Sequence, residues 1–299
     1  MVSITENTSG SLKLAAKVKD YFQLIKFTLS FTVVFSCVIC YLLAPGITYN
    51  LKMVLLLFVA GMLVTGSANA INQAVEKDTD AMMKRTGKRP VAAGRMSQQE
   101  AYIFAFISGF LGVLMMWQFF NLTSALLSAF SLFLYAFIYT PLKKVNSIAV
   151  LVGAFPGALP CLIGWVAGTG EFNAGGWILF GVQFLWQFPH FWAIAWVAHK
   201  DYSTAGFKLL PADKGPTKFT ALQSVMYSMI MVPFGMLPYY FNISGSISLW
   251  IVLACNIVMV IQCIRLYISM DVAAARRVMF SSYIYLPIVF LALLADKVN

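Results

Sequence analysis

Three polar side chains, each four residues from the next, stand at the end of a long apolar segment. Asn72, Glu76 and Asp80 would lie roughly along one stripe of a helix that continued through them, and Asp78 would point elsewhere. Mg²⁺ in proteins is commonly held by one or two carboxylates together with phosphate oxygens and water. The acids and the cations that directly follow them could therefore together hold a metal and a phosphorylated substrate. These cations are Lys84, Arg85, Lys88 and Arg89.

A second charged cluster has a similar position further along the chain. Lys200 and Asp201 follow the sixth long apolar segment as Glu76 and Asp80 follow the second. The two clusters are four apolar segments apart. This spacing suggests that the protein consists of two related halves of four segments each, with the same orientation, followed by one final segment. Asp201 joins Glu76 and Asp80 as a candidate metal ligand, and the Lys143-Lys144 pair adds cations that could neutralise a departing diphosphate.

Composition indicates that these clusters border a membrane. Of 299 residues, 60% are hydrophobic and 11% charged, and the mean hydropathy is +0.79, far from that of a soluble domain. We expect an all-α polytopic membrane protein with one domain over 1–299, in which 1–23 form a polar N-terminal segment. About nine apolar runs are long enough to cross a bilayer: 27–44, 51–73, 101–120, 122–141, 147–168, 174–198, 219–239, 246–267 and 279–295.

The net charge of +10 fits the positive-inside rule better than nucleic-acid binding. If the N-terminus is cytoplasmic, the loops on that side carry every lysine and arginine except Lys52 and Lys297. No signal peptide is evident in the opening residues. We therefore expect a multi-pass protein of a bacterial inner membrane, with its N-terminus and both charged clusters on the cytoplasmic side and no nucleic-acid partner.

His190 is an ionisable residue inside the sixth apolar run, which by default makes it a functional candidate. Neutral imidazole can ligate iron or carry a proton. The alternative is a buried histidine that bonds a carbonyl freed by Pro189. Asn72 has a similar alternative as a hydrogen-bonding residue between packed helices.

The motifs around these residues resemble those of the UbiA family of intramembrane prenyltransferases, and more closely those of its heme O synthase branch. Residues 72–80 fit the family's acidic motif N-[DQ]-x-x-[DE]-x-x-x-D throughout. Residues 78–90 fit the branch's continuation D-x-D-x-x-M-x-R-T-x-x-R-P. Further matches follow in order at 139–144, 157–165, 189–192 and 201–211.

The resemblance implies a helical bundle around a central cavity, capped by the cytoplasmic loops after the second and sixth spans. It also implies a reaction. Mg²⁺ assists departure of diphosphate from farnesyl diphosphate, a vinyl group of heme B attacks the farnesyl cation, and water captures the resulting cation to give heme O. Heme A synthase or terminal-oxidase assembly proteins are the partners that such a product suggests.

The same resemblance assigns roles to individual residues. The catalytic set would be Asn72, Glu76, Asp80 and Asp201, of which the three acids carry Mg²⁺, while His190 positions heme. The remaining substrate-binding positions would be Arg85, Arg89, Tyr139, Lys143, Lys144 and Lys200.

Two positions depart from the family pattern. The acid that many members have four residues after Asp201 is Ala205 here, so the second metal half-site is thinner or uses Asp213. At the first span, Lys26 precedes Phe27, where this branch often has proline.

Two other functions fit part of the pattern. A related enzyme that prenylates an aromatic or quinone precursor would share Asn72, Glu76 and Asp80. An ion-coupled transporter would suit nine spans and a repeat, but transporters usually place polar groups near the bilayer midplane, and these acids cluster at the ends of spans.

Overall fold

The computed structural model describes residues 3–211 and 215–298, with side chains from residue 14 onward. Asp213, proposed above as a second metal ligand, lies outside the described residues. Within them the chain is helical and contains no strand, apart from one isolated bridge between Ser244 and Lys297. The all-α fold expected from the sequence is confirmed.

The described residues form twelve helices, which we number α1 to α12 along the chain. α6 contains a π-helical stretch at Leu134–Tyr139. The helices are α1 (Ser3–Leu24), α2 (Phe27–Leu43), α3 (Leu51–Val75), α4 (Lys77–Met82), α5 (Gln98–Phe119), α6 (Leu122–Leu142), α7 (Ala149–Thr169), α8 (Ala174–Val197), α9 (His199–Thr204), α10 (Lys218–Tyr240), α11 (Ser246–Ser269) and α12 (Val272–Ala295).

Eight of these helices are long and apolar enough to cross a membrane. The end of α1, Leu14–Leu24, and α2 meet at a bend of 50° and form a ninth candidate span. Large apolar side chains on the outside of the bundle, such as Phe106, Trp250 and Ile268, are exposed, as expected for a surface that faces lipid. The prediction of about nine spans is confirmed.

The helix that carries the acidic motif does not continue through it, so Asn72, Glu76 and Asp80 do not share one straight helical stripe. α3 ends at Val75, Glu76 adopts φ −93° and ψ 14°, and the six-residue helix α4 follows. The two acids are buried against different cations. These tertiary ion pairs outweigh the weak local preference for an unbroken helix.

The second charged cluster has the same backbone geometry. α8 ends at Val197, Ala198 adopts φ −95° and ψ 16°, and the six-residue helix α9 follows. The breaks at Glu76 and Ala198 therefore match in both dihedral angles and in the length of the helix that follows. This match supports the repeat of four spans suggested by hydropathy, although the two halves differ in sequence.

Small residues allow the helices that support the site to approach closely. A Cβ atom added to Gly164 of α7 would lie 1.9 Å from the carbonyl oxygen of Cys37 in α2. In α7 and α8, most side chains in the membrane-spanning window are buried. Such close contacts are typical of helix pairs in membranes, where packing rather than hydrophobic burial drives association.

The end of the bundle opposite the charged clusters is closed by the C-terminal residues. Nζ of Lys297 donates to the carbonyl oxygens of Leu42, in the last turn of α2, and of Ala44, directly after it, each at 2.8 Å. The Asp296 carboxylate accepts from the backbone N–H of Ser248 at 2.7 Å, near the start of α11. These contacts tie the last span to the first, so the site lies at the other end of a closed bundle.

Candidate active site

A buried ion pair joins the acidic motif to the end of α6. Nζ of Lys143 lies 2.5 Å from Oε1 of Glu76, and the two residues are only 8% and 4% exposed. The Lys143 ammonium also lies over the rings of Tyr139 at 4.9 Å and Phe207 at 5.3 Å from their centroids. Lys143 therefore contacts groups from three separate segments of the chain.

The second acid of the motif is also paired. Nη1 of Arg89 donates to both carboxylate oxygens of Asp80, at 2.8 and 2.7 Å, and Asp80 is fully buried. The backbone N–H of Asp80 donates to the carbonyl of Glu76 at 2.7 Å, and the Thr86 hydroxyl donates to the carbonyl of Asp80 at 3.0 Å. Asp78 is exposed and lies apart from these buried pairs.

Asn72 connects α3 to two other helices. Its Oδ1 accepts a hydrogen bond from Nζ of Lys26 at 2.7 Å, and its amide nitrogen donates to the Thr140 hydroxyl at 3.4 Å. Asn72 is buried, so the packing role considered from the sequence is present in the structure. The contact with Lys26 also places a cation of the first span beside the acidic motif.

Lys26 is a cation of the site that the sequence motifs did not indicate. It precedes α2 with φ +48°, in the left-handed region that lysine seldom adopts. One feature of the sequence could have indicated this role: Lys26 directly precedes an apolar span, on the same side of the membrane as the acids.

The loops after α3 and after α8 contact each other at this end of the bundle. Nη2 of Arg85 donates to the Tyr202 hydroxyl at 3.1 Å, and its guanidinium carbon lies 5.6 Å from the centre of the Tyr202 ring. Met83 packs with Ala205 and Phe207 in a small buried cluster. The two loops predicted to cap the site are therefore in direct contact.

A family model of UbiA prenyltransferases matches residues 33–292 of the sequence. The chain belongs to the UbiA prenyltransferase family. It is 44% identical over 285 residues to a protoheme IX farnesyltransferase of Cytophaga hutchinsonii, and the match covers 95% of this chain and all of that one. The resemblance read from the motifs is thus confirmed.

Solved UbiA structures share the fold. A structure of digeranylgeranylglyceryl phosphate synthase has a TM-score of 0.78 at 22% identity and covers 94% of this chain and 98% of its own. A UbiA homolog from Archaeoglobus fulgidus bound to GPP and Mg²⁺ has a TM-score of 0.69 at 16% identity, with 92% and 99% coverage. At these identities, the likeness confirms the UbiA-type bundle alone.

Some of the residues assigned from the UbiA motifs lie apart from the paired acids. Asp201 is partly buried, and within the described ranges its carboxylate has no ion pair or hydrogen bond. Lys144 and Lys200 are exposed. Within these same ranges, no three acidic, histidine or cysteine side chains come together as a ready metal site. The role of Asp201 as a third ligand remains a prediction, as does the central cavity.

His190 is held inside α8 by contacts with the last span. Its Nδ1 lies 2.8 Å from the Ser282 hydroxyl, and its ring stacks on Trp186 with centroids 4.3 Å apart. The alternative partner considered from the sequence, a carbonyl freed by Pro189, is therefore wrong. A serine hydroxyl from α12 takes that place, because the two spans pack directly against each other.

The arrangement can bind a metal and an anion together. Glu76 and Asp80 are buried acids, and each is neutralised by a cation, Lys143 or Arg89. Lys26 adds a third cation beside them. Buried charges are stable only when paired, so a positive ion and a polyanion that arrive together can replace these pairs without leaving a charge alone.

Proposed function

We propose that this UbiA prenyltransferase transfers a farnesyl group from farnesyl diphosphate to a vinyl group of heme B, with addition of water, to give heme O and diphosphate. The observation that carries the proposed transfer chemistry is that two buried acids are each paired with a cation, Glu76 with Lys143 and Asp80 with Arg89. The choice of heme as acceptor is supported by the 44% identical protoheme IX farnesyltransferase, which matches this chain along nearly its whole length.

Glu76 and Asp80 are the residues that would hold Mg²⁺. Two carboxylates suit an ion that usually keeps several waters and binds substrate phosphates. The Archaeoglobus fulgidus homolog with GPP and Mg²⁺ supports this choice of ion. When bound, Mg²⁺ neutralises the charge that grows on the departing diphosphate. Asp201 would contribute from the facing loop.

The cations of the site would bind the diphosphate of the substrate. With Glu76 and Asp80 holding Mg²⁺, Lys143 and Arg89 would be free to contact diphosphate oxygens. Lys26, which donates to Asn72, lies beside the same acids. In a buried site these donors act in a low dielectric, where charge stabilisation is stronger than in water. The exchange of partners couples substrate binding to assembly of the site.

The contact between Arg85 and Tyr202 closes the two loops over this end of the bundle. A farnesyl cation must be kept from water until the vinyl group attacks it, because early capture would give only farnesol. Closure of an active site commonly excludes water in this way. We propose that Arg85 also contacts diphosphate, so that closure depends on bound substrate.

The proposed orientation places the ion pairs on the cytoplasmic side of a bacterial inner membrane. The distribution of lysine and arginine supports this orientation. Heme A synthase or terminal-oxidase assembly proteins would then receive the product. The transporter alternative has no observation in its favour, since the paired acids lie at the ends of spans.

The test supplies purified protein in lipid with farnesyl diphosphate, Mg²⁺ and either heme B or 4-hydroxybenzoate. We expect a heme product heavier by one farnesyl group and one hydroxyl group, formed with release of one equivalent of diphosphate. EDTA should abolish it and added Mg²⁺ restore it. Prenylated 4-hydroxybenzoate without heme O would instead identify the protein as an aromatic prenyltransferase.

A further inference from the structure

We propose that Ser282 of α12 is a positioning residue for heme, because it fixes which nitrogen of His190 carries the proton. The inference rests on the proposed function only for its choice of heme as the ligand. Ser282 is fully buried and His190 is 9% exposed. Neither the UbiA motifs nor the relatives' names point to this serine, which lies outside the short motif segments between residues 72 and 211.

The hydrogen bonds around Ser282 determine the tautomer of His190. The Ser282 hydroxyl oxygen lies 2.6 Å from the carbonyl oxygen of Met279 and 2.8 Å from Nδ1 of His190. A carbonyl can only accept, so the single hydroxyl proton goes to Met279. Nδ1 must then carry a proton and donate to the serine. In neutral imidazole this leaves Nε2 with a free lone pair.

Ser282 also holds the ring that supports His190. Its carbonyl accepts a hydrogen bond from Nε1 of Trp186 at 3.0 Å, and the Trp186 ring stacks on the imidazole with an angle of 20° between the planes. The Tyr283 ring meets the imidazole edge-on at 5.4 Å. In the part of the chain that the structure describes, Nε2 has no hydrogen-bond partner. One residue therefore sets both the plane and the protonation of the histidine.

An unprotonated Nε2 is the form of histidine that ligates heme iron. A hydrogen bond to the other ring nitrogen orients such a histidine and raises its basicity, and loss of that partner commonly weakens metal affinity by about 10–100-fold. We therefore assign Ser282 to the orientation of heme through His190, without direct contact between Ser282 and the substrate.

The experiment titrates heme B into the purified full-length protein and follows its absorption spectrum. Ser282→Ala should bind heme about tenfold more weakly and shift the Soret band in the direction of His190→Ala. Its KM for heme should rise while its KM for farnesyl diphosphate stays unchanged. Ser282→Thr, which keeps a hydroxyl, should recover the wild-type spectrum.

Ser228→Ala is the matched control. Ser228 is also fully buried, and its hydroxyl donates to the carbonyl three residues earlier at 2.8 Å, but it does not contact His190. This variant should leave heme affinity and spectrum unchanged. Equal heme affinity and Soret position for Ser282→Ala and wild type would overturn the inference, as would equal losses for Ser228→Ala and Ser282→Ala.

The outcomes separate this inference from the proposed function. If the wild type makes heme O and Ser282→Ala matches it in spectrum and in KM for heme, the positioning role is wrong and the proposed function stands. If no heme O forms but the heme spectrum depends on His190 and Ser282, the reaction is wrong and the positioning role stands.

Discussion

Lys143 and Glu76 form an ion pair of 2.5 Å between α6 and the end of α3, almost without access to solvent. Removal of one partner from a buried pair leaves an uncompensated charge and commonly destabilises a fold by about 3–5 kcal/mol. The carboxylate proposed to hold the metal is thus also part of the structure. The effects of a substitution on stability and on turnover must therefore be measured separately.

We expect Lys143→Met to lower the free energy of unfolding by about 3–5 kcal/mol, because it leaves Glu76 charged and buried. Glu76→Gln should cost less, since the Lys143 ammonium keeps its contacts with the Tyr139 and Phe207 rings. The double variant should regain most of the stability lost in Lys143→Met. Unfolding in detergent measures all three.

Turnover should behave differently from stability in the same set. Glu76→Gln and the double variant should both lose diphosphate release by at least about 100-fold, because neither has the carboxylate proposed to bind Mg²⁺. If the double variant is folded and its turnover is near that of the wild type, Glu76 is not a ligand of the metal.

Asp80 and Asp78 provide a comparison within one short helix. Asp80→Asn removes a buried acid paired with Arg89, and we expect turnover to fall by about 100–1,000-fold. Asp78→Asn changes an exposed acid in the same way and should stay within about twofold of wild type. The measurement is farnesyl transfer at saturating Mg²⁺. A similar loss in both variants would mean that the local negative charge matters rather than the position of Asp80.

The nine spans and the two polar clusters were predictable because each rests on a simple property of the sequence. Apolar runs of sufficient length must be helical in a bilayer, since their backbone groups find no other partners there. Orientation needs lysine and arginine but has little use for acids, which made Glu76 and Asp80 stand out. Both acids lie at one end of the bundle.

The pairing within the site was not predictable from spacing. The four-residue repeat suggested one stripe, whereas the break at Glu76 sends the acids to different cations, and the choice of Lys143 and Arg89 depends on how α6 and the following loop pack. The sequence did not place Lys26 in the site, because its contact with Asn72 depends on a backbone bend before α2. Ser282 was not predictable either, because only the packing of α12 against α8 brings it to His190.

The loop contact between Arg85 and Tyr202 gives a prediction about substrate retention. Tyr202→Phe removes the hydroxyl that accepts from Arg85 but keeps the ring below the guanidinium. We expect a rise of about threefold to tenfold in KM for farnesyl diphosphate, because this solvent-exposed bond should contribute only about 0.5–1.5 kcal/mol. Farnesol formed by early capture of the cation should also increase.

Ser203→Ala is the control for the loop contact, because Ser203 is an exposed neighbour of Tyr202 without a proposed role in the site. It should change neither KM nor the ratio of farnesol to heme product. If farnesol does not rise in Tyr202→Phe, the contact between the loops has no part in the exclusion of water.

Gly164 provides a test of the bundle itself. A methyl group at Gly164 would meet the backbone carbonyl of Cys37, which cannot move aside as a side chain can, so α2 and α7 must separate. We expect Gly164→Ala to lower the free energy of unfolding by about 1–3 kcal/mol or more. Gly66→Ala meets Cγ2 and Cβ of the Ile25 side chain, at 3.1 and 3.3 Å, which requires a much smaller shift, so it should cost less. Thermal unfolding in detergent compares the two, and equal midpoints would contradict the close approach.

Lys26 provides the most direct test of how the first span contributes to the site. Lys26→Met keeps the length and apolar stem of the side chain but removes the ammonium that contacts Asn72. If Lys26 binds diphosphate, KM for farnesyl diphosphate should rise by about 10–100-fold, as expected for loss of a charged hydrogen bond of roughly 1.5–3 kcal/mol. KM for heme B should stay unchanged. Lys19→Met removes an exposed lysine from the same end of the chain and should alter neither value. Because Asn72 keeps its bond to Thr140 in Lys26→Met, a purely structural role would lower stability and leave both KM values as they are.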